Sequence, residues 1–145
     1  MCTQQCISNC LCTIRKALYK EFVPFYLGAN SKNRDFFVKQ NIKMVKKLYN
    51  LKENDLVLVA DGTYCRIEKS CNHQFQYDSY SSQKFQNLIK PFFITTANGY
   101  IVDCYGPFMA RHNDSFIFKY ILENDADLSL LMTPNETIVL VDRGN

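Results

Sequence analysis

Apolar residues recur along this chain with two periods, and the change between them divides it. Leu11, Ile14, Leu18 and Phe22 follow helical spacing. They predict a helix over residues 9–22, with Asn9 as its cap and Pro24 as its stop. Val38, Ile42, Val45 and Tyr49 form a second line, widened by Phe37, Met44 and Leu48. They predict a helix over about 31–49, capped by Ser31 or Asn30. The period then changes. Leu56–Ala60 is an unbroken apolar run ended by Asp61-Gly62, as in a strand buried on both faces. Residues 63–67 fit a short second strand, and the polar stretch 70–84 fits a long loop. Residues 91–96 and 100–105 flank Asn98-Gly99, a strong hairpin signal, and Gly106-Pro107 closes the pair. Residues 114–123 predict a helix, with Phe116, Ile117, Tyr120 and Ile121 on its inner side. Thr137–Val141 predicts another buried strand, ended by Asp142. Two helices, then strand, hairpin, helix and strand, make an α/β arrangement.

Composition narrows the class. The chain has 145 residues, 47% hydrophobic and 14% aromatic, enough for one domain with its own core. It is too apolar for disorder. No apolar run approaches the roughly 18–20 residues of a membrane span. The first residues lack the apolar stretch of a signal peptide, so a soluble intracellular protein that touches no membrane is expected.

The net charge of +3 hides an asymmetry. Residues 1–50 hold nine Lys and Arg against two acids; residues 51–145 hold eight against twelve. The chain therefore divides into a basic helical segment, 1–52, and an acidic domain, 53–145. Lys39, Lys43, Lys46 and Lys47 have no acid among them. They fit either contacts to phosphates or a solvated helix face. Lys84 and Lys90, before the hairpin, are further candidates for a nucleic-acid backbone. Seven cysteines include Cys2, Cys6, Cys10 and Cys12 near the start. Their spacing lacks the paired knuckles of structural zinc, so free thiols are expected. Cys65, Cys71 and Cys104 lie in or beside strands and are expected to be small buried groups.

The candidate chemistry sits at the strand ends. If 56–60 and 137–141 are parallel neighbours, Asp61 and Asp142 leave the same sheet edge about 4.8 Å apart. Two carboxylates suit Mg2+ or Mn2+, which supports phosphodiester cleavage. Asp-Gly is also a common way to leave a sheet, and spacing alone leaves both readings open. Asp114 fits a helix cap better than a ligand. Asp103, Asp125 and Asp127 fit loop or exposed positions.

Several short motifs follow one another in order: Asp61-Gly-Thr63, Glu68-Lys-Ser70, Phe75-Gln76, Tyr80-Ser81, Lys84, Lys90-Pro91, Asn98-Gly-Tyr-Ile101, Gly106-Pro107, Asn113-Asp114 and Asp142-Arg-Gly144. Together they resemble the DDE superfamily endonucleases, and within them the Harbinger-type transposases. The resemblance implies a ribonuclease-H-like fold with a mixed sheet, preceded by two helices. It implies divalent-metal-dependent cleavage and strand transfer on DNA, a DNA-binding partner protein, and a nuclear location with the cytoplasm as alternative. It makes Asp61 and Asp142 the first two catalytic, metal-holding acids and Asp114 a supporting ligand or cap. The family's aromatic after Asp-x-Gly is Asn145 here, and its third acid, a later Glu, has no counterpart. The chain is therefore expected to be an incomplete fold, truncated at its C-terminus, with impaired cleavage. The alternatives are a non-catalytic nucleic-acid-binding protein or an interaction protein derived from a transposase. Oligomeric state is left open.

Overall fold

A computed structural model describes residues 3–142. Its centre is a mixed sheet of six strands: β1 (Leu56–Gly62), β2 (Cys65–Arg66), β3 (Tyr80–Ser81), β4 (Gln86–Thr96), β5 (Ile101–Met109) and β6 (Thr137–Val141). The long strand β4 pairs antiparallel with β1, β2, β3 and β5. On its other side β1 pairs parallel with β6, from Leu56↔Thr137 to Ala60↔Val141. The expected hairpin is present, but its strands run longer, and β5 continues through Gly106-Pro107 to Met109.

Side chains alternate across a strand, so β1 serves both faces. Leu56, Leu58 and Ala60 join Phe92 and Ile94 of β4 in the main core. Helix α6 (Asp114–Asn124) covers that face with Ile117 and Ile121, and α7 (Ala126–Leu131) adds Leu128 and Leu131. Val57, pointing the other way, is also fully buried. The expected two-sided burial of this strand holds. β6 does not match its expected burial: its residues are half-buried or exposed, because β6 has one strand neighbour, β1, among the described residues.

The first helix, α1, runs Gln4–Glu21 and starts earlier than its apolar line suggests. Thr3, not Asn9, is the cap, its side chain accepting from the Cys6 N–H. Pro24 sits in the first turn of a short helix α2 (Val23–Tyr26), where its missing N–H costs nothing. α1 buries no residue, and Ile7, Leu11, Ile14 and Leu18 are 51–63% exposed.

The single helix expected over 31–49 is two: α3 (Arg34–Val38), capped by Asn33, and α4 (Lys43–Leu48). The break frees Asn41 for the sheet. Its amide donates to the Asp55 carbonyl at 2.7 Å, and its side-chain oxygen accepts from the Val57 N–H at 3.2 Å. Phe37 enters the core fully buried. The Arg34 guanidinium donates to the carbonyls of Leu131 and Glu136. Residues 34–41 are thus bound into the same core as the sheet.

The stretch 70–84 is not a plain loop. It forms α5 (His73–Ser79), whose cap Asn72 accepts from the Phe75 N–H, and then β3. Asp125 caps α7 and accepts from the Tyr105 hydroxyl at 2.7 Å. Asp127 accepts from Asn30 at 2.7 Å. Burial lifts the Asp103 carboxyl above its ordinary range. Asp103, in β5, and Asp125 are thus half-buried, contrary to expectation, while Asp127 is exposed as expected.

Candidate metal centre

Asp61 is the penultimate residue of β1, and it is exposed. By alternation it projects from the face of Val57 and Val59, away from α6. The parallel register ends at Ala60↔Val141, and continuing it by one residue sets Asp142 opposite Asp61. Neighbouring strands are about 4.8 Å apart, so the two residues leave the sheet at one edge. Asp142 is exposed as well.

Asp114 lies on the other side. Gly62, one residue past Asp61, turns toward α6. A Cβ there would come within 2.6 Å of the Lys90 Cδ and 2.7 Å of the Asp114 Oδ1. The Lys90 ammonium donates to Asp114 Oδ1 and to the His112 carbonyl, both at 2.9 Å. Their side chains are 5% and 14% exposed. The Lys90 Nζ also stands 4.7 Å from the centre of the Tyr64 ring. Burial pulls the Lys90 pKa down, but the hydrogen bonds and charges of Asp114 and Tyr64 outweigh it and leave it raised. Two expectations change. Asp114 does not cap α6; Asn113 does, accepting from the Phe116 N–H at 2.7 Å. Lys90 is not presented to solvent, because its ammonium is held inside by Asp114.

The other lysines are dispersed. Lys39 is the C-cap of α3; Lys43, Lys46 and Lys47 lie on α4, and all four are exposed. They stand near the opposite end of β1. Asn41 ties this segment to Asp55 and Val57, about 13–20 Å from Asp61 at strand rise. Lys84 is exposed in the turn before β4. Cys65, Cys71 and Cys104 are exposed, contrary to expectation, because Cys65 and Cys104 fall on the open sides of their strands. Cys2 lies outside the described residues.

The sequence pattern of the DDE superfamily endonucleases matches residues 60–144, more than half of the chain. The chain belongs to this family. No curated protein and no solved structure matches it. The endonuclease match opens one residue before Asp61 and takes in Lys90, Asp114 and Asp142.

The donor set at the sheet edge fits a hard divalent cation. Asp61 and Asp142 offer only oxygen, in the open, leaving coordination positions for water and phosphate. Among the described residues no three acids, histidines or cysteines form a closed cage. Reading the sequence missed the Lys90–Asp114 pair. The signal was present: Leu88, Lys90, Phe92 and Ile94 alternate in phase, so Lys90 belongs to the inward row.

Proposed function

We propose that this endonuclease-family chain is a transposase-derived domain of Harbinger type with a ribonuclease-H-like fold. It cleaves DNA phosphodiesters with Mg2+ or Mn2+ held by Asp61 and Asp142. The observation that carries the reading is the in-register parallel pairing of β1 with β6, which brings two acids distant in sequence to one edge. A divalent cation bound there supplies charge neutralisation of the phosphate and activation of a water or 3′-hydroxyl. The residues' share is positional. Asp61 is fixed by a strand buried on both faces. Gly62 lets the chain approach the Lys90–Asp114 pair without a clash. That pair braces the strand from behind and keeps the Asp114 charge balanced, so Asp114 supports rather than ligates.

In this reading residues 53–145 carry the nuclease-like domain, and residues 1–52 are a basic lead-in that braces it through Arg34 and Phe37. Lys39, Lys43, Lys46, Lys47 and Lys84 meet the DNA backbone. A DNA-binding partner protein and nuclear location go with it.

The test is Mn2+-dependent nicking of supercoiled duplex DNA by the full chain. Loss in Asp61→Ala and in Asp142→Ala supports the reading. No nicking, with DNA binding intact and salt-sensitive, replaces it by a non-catalytic nucleic-acid-binding protein. No binding of DNA or metal leaves an interaction protein.

A further inference from the structure

Among the described residues three non-glycine residues have positive φ: Asn50, Phe85 and Asn135. Asparagine tolerates that region, but a bulky aromatic does not. Phe85, at φ 55°, ends the four-residue turn that joins β3 to β4. Glycine or asparagine would serve the turn better. Nor does burial compensate, because Phe85 is 78% exposed. Neither the backbone nor the core explains an aromatic side chain here. Strain of this kind collects at functional positions.

The surroundings supply a second observation. Phe85 lines a cleft of about 520 Å³ with Tyr80, Arg66, Glu68, Lys69 and Asn87. Tyr80 is 45% exposed. The buried Asn87 is rigid, its amide donating to the Gln76 carbonyl at 2.8 Å and the Ser79 Oγ at 2.9 Å. Two exposed aromatic faces beside two cations suit a strand of nucleic acid: aromatic rings stack on bases and cations meet phosphates. Glu68 repels phosphate and accepts from an exocyclic amine, so a base fits beside it.

We propose that this cleft binds one unstacked nucleotide of a DNA strand. Its base stacks on Phe85 and Tyr80, and its phosphates meet Arg66 and Lys69. The inference rests on the reading of DNA as substrate and adds a second grip on it. Asp61 pairs with Phe93, and the Ile67 N–H donates to the Asn87 carbonyl. Those points lie six residues apart along β4, about 20 Å. At the 3.4 Å per step that one strand has in a duplex, the grip falls about six nucleotides from the reacting phosphate, and fewer where the strand is unstacked.

The full chain is tested by fluorescence anisotropy with a labelled 12-nucleotide single strand and with the matching blunt duplex. Phe85→Ala should weaken single-strand binding about fivefold or more, leave duplex binding within about twofold, and leave the salt slope unchanged. Phe85→Tyr should bind like the parent. Phe85→Gly should melt at a higher temperature than the parent yet bind the single strand as poorly as Phe85→Ala, which separates stacking from folding. Arg66→Gln and Lys69→Gln should each reduce the single-strand salt slope by about 0.7. Equal single-strand affinity of Phe85→Ala and the parent overturns the cleft alone when the parent still binds and nicks DNA. A parent that binds neither probe overturns the cleft together with the DNA reading.

Discussion

Asp61 and Gly62 are adjacent, yet they serve opposite faces of the sheet. Toward α6, a lysine and an aspartate sit buried at 2.9 Å and leave no room for a Cβ at Gly62. On the far face two carboxylates stand open to solvent with no cation of the chain bound to either among the described residues. Both faces hold an acid at the same strand end. On one the charge is balanced from within and serves stability. On the other it is left open to solvent, free to take the cation proposed above. A strand end can thus set a buried, charge-balanced acid and an open one on opposite faces by one residue of alternation.

That contrast can be broken at several points. Lys90→Met strands the Asp114 charge in the interior and should cost about 3 kcal/mol or more in urea unfolding. Asp61→Asn should stay within about 0.5 kcal/mol of the parent. The double change Lys90→Met with Asp114→Leu should recover most of the loss, as replacement of a buried pair by apolar groups does. Equal costs for Lys90→Met and Asp61→Asn would end the distinction between the faces. Gly62→Ala should cost about 1–3 kcal/mol, since Lys90 and Asp114 must shift to admit the methyl group.

The open face responds to a ligand instead. Mn2+ at about ten times its dissociation constant should stabilise the parent by about 1.4 kcal/mol in thermal melts and leave Asp61→Ala unmoved. A smaller difference lies in alkali. The Lys90 pKa is raised above 10.5 in the fold, so its contribution is complete below that value and lost as pH rises through the raised one. Subtracting the stability–pH curve of Lys90→Met from that of the parent should show this limb, and a flat difference would refute it. Smallest of all, Leu11→Gln on the exposed line of α1 should change stability by less than about 0.5 kcal/mol.

The main strands and the parallel pairing of the two apolar runs were legible because continuous apolar runs and Asn-Gly turns report on sheets directly. The helix over 31–49 was misread because its apolar line runs on through Asn41. What stops the helix is Asn41's bonds to β1, a tertiary demand that no local period carries. α5 was hidden by polar composition, although Asn72 marks its start. Asp114 looked like a cap because it stands at a helix start, but its neighbour Asn113 caps and a strand lysine claims the acid. α1 shows the converse failure: its apolar spacing gave the helix correctly, yet no residue of that face is buried within the described chain.

The parallel pairing of β1 with β6 also bears on how the protein assembles. Asp61 and Asp142 are about 80 residues apart, whereas β4 and β5 meet across a turn of four residues. Closing the long loop costs more chain entropy than forming the hairpin, so β6 docks late. A chain with its hairpin formed and β6 still adrift has most of its sheet and no paired acids. The two acids therefore come to one edge of the sheet only at the last step of folding, after most of the sheet has formed.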